Sequence, residues 1–434
     1  MALEFKTPRG TKDILPADIS KWQYVESTLR EIFERYNFSE IRTPTFEETE
    51  LFARGIGQAT DIVQKEMYTF EDKGGKSHTL RPEMTASVMR AYLEHHLGEK
   101  RALQKLYYIS PMFRQERPQA GRFREFNQYG IEIIGTQNPL ADVESIILAV
   151  EILRALGVQK STLKLNSVGC QNCRPKYKEI LRQELKPVFS DLCNDCQKRY
   201  HANPLRILDC KRDKCGQITE SISPIYEYLC EECATHFDKV QEFLRSVKTE
   251  FVLDRRLVRG LDYYTKTAFE VISDLLGSQD SICGGGRYDY LAEEFGGKHV
   301  PAVGFAAGTE RLITVLEKSD LLPAFGWSVG LYLVSLGDAA TKWAFKEANE
   351  LRRAGISCEI DYEKRSLKAQ MRDANRLNVR MVAIVGEEEL NSGMIVLKNM
   401  DSGEQESVSA NAFRQVVIER LNRKTEPAGS PAKP

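Results

Sequence analysis

Arg114 and Glu116 stand just before a polar loop, Arg117-Pro-Gln-Ala-Gly-Arg122, and Arg124, Phe126, Gln128 and Glu132 stand just after it. The flanking segments, Lys105–Glu116 and Arg124–Gly135, read as two long strands joined by that loop. Paired antiparallel, they would carry Arg114, Glu116, Phe126, Gln128 and Glu132 on a rigid floor, with period-two alternation choosing which side chains point into a site. Arg124 and Gln128 share parity, as do Phe126 and Glu132. A guanidinium can clamp a phosphate through two parallel bonds, and an aromatic face can stack on a purine. Any one of these residues also fits the solvated face of a sheet. The whole set at this spacing fits a site that handles phosphate.

A second group lies later in the chain. Gly304-Phe-Ala-Ala-Gly308-Thr-Glu-Arg311 reads as strand, turn and helix. Gly308 would permit close backbone approach, and Arg311 falls in the first helical turn, where an anion is favoured. Arg259-Gly-Leu-Asp-Tyr-Tyr264 and Cys283-Gly-Gly-Gly-Arg287-Tyr288 add two arginines and three tyrosines beside a glycine run. Of the six histidines, His78 lies nearest these segments, and His95-His96 read as surface groups near a helix end.

Eight of the ten cysteines fall between Cys170 and Cys233. Cys170-x2-Cys173, Cys193-x2-Cys196, Cys210-x4-Cys215 and Cys230-x2-Cys233 have spacings that suit tetrahedral zinc, enough for two four-thiolate sites. Reduced thiols on helices are the other reading. Without an export signal, clustering favours either of these over disulfides.

The elements that must position these residues sort into regions. Trp22, Val25, Leu29, Ile32, Phe33 and Tyr36 recur at helical spacing and predict a helix over 17–36. Met67–Phe70 and Ser77–Leu80 flank Lys73-Gly74-Gly75 as a hairpin, and a helix from about Met84 to Leu97 follows. Residues 170–245 form a Cys-rich, mostly helical insertion. Strands then resume at Phe251–Asp254, Tyr263–Ile272, Ser281–Cys283 and Val303–Ala307. Past Leu322-Pro-Ala-Phe-Gly326 the rhythm becomes strand Val329–Ser335, helix Ala339–Ala354, strand Ser357–Ile360, helix Ser366–Leu377, then strands Met381–Val385 and Met394–Lys398. The fold class is therefore α+β. An antiparallel core over 1–325 is interrupted by the insertion, a small α/β domain spans 326–423, and 424–434 (TEPAGSPAKP after Lys424) reads as a disordered tail.

At 434 residues, with 42% hydrophobic and 28% charged residues, the chain suits a soluble multidomain protein. No apolar run approaches the ~20 residues that cross a bilayer, and the N-terminus lacks a signal peptide's apolar core, so a cytoplasmic address without membrane partners is expected. A net charge of −1 means that any polyanion must bind a local patch.

Four segments resemble those of class II aminoacyl-tRNA synthetases. Phe38-Ser-Glu-Ile-Arg-Thr-Pro44 resembles the dimer-forming strand ending in proline; the pair around the 117–122 loop and the Gly304–Arg311 segment resemble the other two shared motifs. The Arg259–Tyr264 and Cys283–Tyr288 blocks, with Leu80-Arg-Pro-Glu-Met-Thr85, resemble those of histidyl-tRNA synthetases, and the similarity spans nearly the whole chain. It implies a homodimeric ligase that activates L-histidine with ATP and Mg2+, releases pyrophosphate, and transfers histidine to tRNA(His). By resemblance, Arg114 and Arg259 grip the α-phosphate and substrate carboxylate, Arg259 taking a place other class II enzymes give to a metal. Arg311 and Phe126 sandwich adenine, and Glu116 belongs to the ATP site. Glu83, Thr85 and Gln128 hold the α-ammonium; Glu132 and Tyr264 meet the imidazole, with Tyr263, Tyr288 and Gly284–Gly286 as walls. The loop residues Arg117, Gln119 and Arg122 would reach the tRNA acceptor end. Lys364, Arg365, Lys368, Arg372, Arg376 and Arg380 lie where the family binds the anticodon, and 365, 368, 372 and 376 would form a helical basic stripe. Two alternatives stand beside this: a non-catalytic synthetase-like regulatory subunit of ATP phosphoribosyltransferase, which lacks the anticodon domain and key arginines, and a zinc-dependent nucleic-acid-binding protein.

Overall fold

The computed structural model describes residues 5–422 apart from 59, 120 and 326–328, so the predicted tail and part of the predicted linker lie outside the described residues. The chain divides into two compact units, Met1–Pro323 and Ala324–Pro434.

The first unit is built on an eight-stranded sheet. Its order is Ser39–Glu40, Gln104–Phe113, Glu125–Ile134, Ala302–Gly308, Ser281–Arg287, Thr265–Ile272, Thr162–Ser167, Val252–Leu253. The six central strands pair antiparallel, and each short edge strand pairs parallel. Alternation gives the two faces different work. Tyr129, Ile131, Ile133, Val303, Phe305, Phe269 and Val271 point to one face and form the main core. That face is covered by the helices Pro16–Arg35, Pro139–Ala155, Glu231–Ser246 and Thr309–Lys318, whose apolar stripes join the same core. The opposite face carries Phe126, Gln128 and Glu132 and is left for chemistry, with the helix Thr85–Glu94 closing one end over Leu106, Tyr108 and Met112.

The predicted 17–36 helix is found as Pro16–Arg35, with Trp22, Val25, Leu29, Ile32 and Phe33 buried. The helix expected over 84–97 ends at Glu94, because His96 turns into the left-handed region (φ 50) and starts a separate turn, Leu97–Lys100. Both histidines are exposed. Two expected strands differ in length: Phe251–Asp254 shrinks to Val252–Leu253, and Ser281–Cys283 extends to Arg287. Between Ser167 and Val252 the chain forms four helices, Cys173–Leu185, Asn194–Ala202, Asp213–Glu220 and Glu231–Ser246, with short 3-10 turns. The first three pack around their own small core, which includes Tyr177, Leu181, Ile207 and Cys196.

The second unit is a five-stranded sheet in the order Cys358–Ile360, Leu331–Ser335, Met381–Val385, Met394–Asn399, Gln405–Ser409. The first three are parallel and the last two antiparallel. Arg365 precedes the helix Leu367–Arg376 instead of joining its stripe. It is bonded to Asp361 and, at 2.9 Å, to Asp373, while Lys364 pairs with Asp338 at 2.7 Å. Lys368, Arg372 and Arg376 do share the exposed side of that helix.

Candidate active site

On the open face of the sheet lies a cavity of about 540 Å3. Arg114, Arg259 and Arg311, which are far apart in sequence, all line it, together with Glu83, Thr85, Glu116, Arg122, Phe126, Gln128, Tyr263, Tyr264 and Tyr288.

Arg114 and Glu116, which the sequence pattern puts within a strand, lie just beyond the strand Gln104–Phe113. The strand pairing stops at Phe113↔Glu125, and a backbone bond from Arg114 to Arg124 starts the loop. Arg114 is held by its Nε, which donates to Pro82 O at 2.9 Å, and its guanidinium lies 5.3 Å from the centre of the Phe126 ring. Its remaining N–H groups face the cavity side, where Glu116 lies at 3.7 Å. Glu116 also pairs with Arg122 at 3.2 Å. Arg311, in the first turn of Thr309–Lys318, donates to Ser281 O at 2.8 Å and to Gly121 O at 3.3 Å. It therefore ties the 117–122 loop to the floor. In that loop Arg117 and Gln119 are exposed and do not line the cavity.

Arg259 is fixed from three sides. Its Nη1 donates to Glu270 at 3.0 Å, and its guanidinium lies 5.6 Å from the Tyr264 ring centre. Its third neighbour is Gly284, which pairs with Glu270 in the ladder; a Cβ there would fall inside the guanidinium. Burial alone would lower its pKa, but Tyr264 and Glu270 outweigh that and hold it above the usual arginine value. Glu270 was missed in the sequence, although a lone carboxylate in the apolar strand Thr265–Ile272 was the signal.

The strand expected from Tyr263 begins only at Thr265. In a strand, adjacent side chains point to opposite faces; in the turn found here both Tyr263 and Tyr264 line the cavity, with ring centres 4.7 Å apart. Tyr263 also packs edge-on to Tyr288 at 5.6 Å.

Glu132 is fully buried, one layer behind the cavity wall rather than on it. Its oxygens accept from Thr85 Oγ1 at 2.8 Å and from the Tyr288 hydroxyl, both of which do line the wall. Gly304, opposite Glu132 in the ladder, leaves the room its carboxyl fills. Burial without a cation pushes the Glu132 pKa up to about 8, despite those two hydrogen bonds. Glu83, also buried, is raised for the same reason, opposed by N–H bonds from Thr85 (2.8 Å) and Ala86 (2.9 Å) at the helix N-terminus. Gln128 Oε1 is buried and has no hydrogen-bond partner, an unsatisfied acceptor in the wall. His78 is outside the cavity, bonded to Asp72 in its hairpin at 3.2 Å.

The cysteines assemble into two sets. Cys170, Cys173, Cys230 and Cys233 lie with their sulfurs within 4.8 Å of one another, and so do Cys193, Cys196, Cys210 and Cys215. Sulfur separations of 3.6, 3.9 and 3.9 Å match the ~3.8 Å edge of a tetrahedron with Zn–S bonds of about 2.3 Å, and exclude a disulfide. Backbone N–H groups of Asn172, Cys230 and Cys193 point at Cys170, Cys173 and Cys215 Sγ at 3.3, 3.2 and 3.3 Å, as they do toward thiolates.

The family model described as histidyl-tRNA synthetase matches residues 10–174 and 207–312, and an anticodon binding domain model matches 331–420. The chain belongs to the histidyl-tRNA synthetase family. A histidine–tRNA ligase of Halothermothrix orenii is 50% identical over 415 residues, covering 95% of this chain and 99% of that protein. One of Desulforamulus reducens is 49% identical over 95% of this chain and 97% of its own. Apo histidyl-tRNA synthetase of S. aureus superposes with a TM-score of 0.81 at 39% identity, covering 95% of this chain and 100% of that one. A Bacillus halodurans protein titled ATP phosphoribosyltransferase regulatory subunit/histidyl-tRNA synthetase shares the fold, with a TM-score of 0.64 at 22% identity over 89% of this chain and 99% of that one. The synthetase model skips 175–206, the stretch that holds Cys193 and Cys196. Among the described residues, no helix of this synthetase-family chain is long and apolar enough to cross a membrane.

Proposed function

We propose that the chain is a histidine–tRNA ligase: it joins L-histidine to ATP as histidyl-adenylate, releasing pyrophosphate, and passes histidine to tRNA(His). The observation that carries this reading is the convergence of Arg114, Arg259 and Arg311 on one cavity whose other walls bear carboxylates, an unpaired amide oxygen and three tyrosines.

The histidine carboxylate attacks the α-phosphorus in line as the bond to pyrophosphate breaks. Positioning and charge neutralisation dominate such a step. Arg259, held charged by Glu270 and Tyr264, lies between the two reacting anions, and Arg114 meets the α-phosphate from the other side. Adenine stacks between Phe126 and Arg311, beside Glu116. Glu116 and Glu270, oxygen donors on the wall, would hold Mg2+ brought in with ATP, which would supply neutralisation of the outer phosphates.

Gln128 Oε1, Glu83 and Thr85 receive the α-ammonium. The imidazole is read by Tyr264 and Glu132, histidine replacing one of the hydroxyls that Glu132 holds, with Tyr263 and Tyr288 as walls. A carboxyl that keeps its proton up to about pH 8 is donor and acceptor at once, which complements a neutral imidazole. Arg117, Gln119 and Arg122 face the tRNA acceptor end. Lys368, Arg372 and Arg376, exposed on one helix, face the anticodon arm. The working form is a cytoplasmic homodimer, organised as a 1–325 core with the 170–245 insertion and a 326–423 anticodon domain. The two cysteine sets hold structural zinc.

An ATP–pyrophosphate exchange assay across the twenty amino acids tests this. Exchange with histidine alone, and charging of tRNA(His), is the expected result; exchange with no amino acid would favour a regulatory subunit instead.

A further inference from the structure

The block that carries Arg259, Tyr263 and Tyr264 has no helix or strand of its own between Leu253 and Thr265. Side chains of the insertion hold its backbone instead. Arg174, the residue after Cys173, donates to Val168 O at 3.1 Å, to Asp262 O at 3.5 Å and to Tyr264 O. Arg206, between Cys196 and Cys210, donates to Gly260 O at 2.6 Å and stands 3.9 Å from Asp262 Oδ1. The block reaches back in the same way: Arg256 donates to Leu208 O and Cys210 O, both at 3.3 Å.

Each of these grips starts from a cysteine set. Arg174 sits in the first turn of Cys173–Leu185, whose start is fixed by Cys170, Cys173, Cys230 and Cys233. Arg206 and the carbonyls of Leu208 and Cys210 lie in the segment bounded by Cys196 and Cys210, both in the other set. Helices of eight to thirteen residues around a small core have little else to hold them in register.

We propose that Arg174 and Arg206 are positioning residues for the histidine site and that metal at the two cysteine sets holds them in place, so that the insertion is a metal-dependent brace for residues 256–264. The proposal rests on the zinc reading above. Neither arginine touches substrate; each fixes carbonyls whose own residues or neighbours do. Loss of the brace leaves the ATP side, built on Arg114, Phe126 and Arg311 from the central strands, where it is. Histidine binding and activation suffer first.

Two experiments on the full-length protein test the two parts separately. In the first, Arg206→Ala and Arg174→Ala are assayed by pyrophosphate exchange with zinc content measured on the same samples. The expected result is a tenfold or greater rise in KM for histidine, a fall in kcat, an ATP KM within twofold of wild type, unchanged zinc, and partial rescue by Arg206→Lys. Unchanged histidine kinetics in both variants would overturn the brace while leaving the zinc reading intact. In the second, zinc is removed by a chelator and amide hydrogen exchange is followed by peptide. Faster exchange over 255–265 with protection kept over 125–134, reversed by adding Zn2+, is expected. Unchanged protection over 255–265, or loss of protection throughout the sheet, would overturn the metal coupling. Protein that holds no zinc as purified would defeat the zinc reading itself, and the arginine variants would still judge the brace.

Discussion

Two buried carboxylates serve the same sheet and end in opposite states. Asp142, on the helix Pro139–Ala155, meets the Arg287 guanidinium through Nε at 3.1 and 3.2 Å and His236 at 3.2 Å, and Arg287 also reaches Asp289 at 3.0 Å. Burial would raise the Asp142 pKa, but Arg287 and His236 overcome it and hold it well below the usual carboxylate range. Glu132 is equally buried, has only hydroxyl partners, and is raised to about 8. The first is a charge answered within the protein, locking a helix to the end of the glycine-run strand. The second is left without a cation beside the cavity. A buried acid whose charge is matched inside the protein is structure; one kept protonated beside a cavity, able to donate and accept, suits a binding site.

That contrast can be broken by mutation. Asp142→Ala takes from Arg287 and His236 the buried carboxylate they share, leaving Arg287 only Asp289 as a counter-ion, and should cost about 3 kcal/mol of unfolding free energy, read from denaturant melts; a loss no larger than that of a surface substitution would refute the assigned role. Glu132→Ala leaves Thr85 and Tyr288 without their acceptor and should raise the histidine KM about 10- to 100-fold, or ~1.4–3 kcal/mol, with the ATP KM little changed. The pH dependence sharpens the same point. Glu132 keeps its proton in the folded chain and sheds it near 4.5 when unfolded, so its contribution to stability is full below that value and is lost as pH rises toward 8. Wild type should therefore lose stability relative to Glu132→Gln over that range. Asp142 has the opposite sign: its contribution is full above the unfolded value and falls as pH drops below about 4. Matching slopes in the two variants would erase the distinction. The smallest effect is expected at Lys364, whose bond to Asp338 is exposed at both ends; Lys364→Ala should leave melting unchanged within error.

What the sequence made legible follows from local periodicity. Parity placed Phe126, Gln128 and Glu132 on one face because both strands around the 117–122 loop are regular. It failed at Tyr263 and Tyr264, where the backbone is set by Arg174 and Arg206 from 90 and 54 residues away, a constraint no local pattern carries. Spacing marked eight cysteines as suited to hold zinc, with plain thiols as the other reading, but which pairs join depends on helices Cys173–Leu185 and Glu231–Ser246 starting side by side. The strand Gln405–Ser409 was missed because only Val408 in it is buried, and the basic stripe was overcounted because Arg365 is spent on Asp361 and Asp373.

In the proposed reaction Arg259 stands between the two anions that react. The decisive measurement is histidine-dependent pyrophosphate exchange by Arg259→His, in a variant whose melting matches wild type. A fall on the order of a hundredfold to a thousandfold or more is expected; exchange close to the wild-type rate would rule that role out.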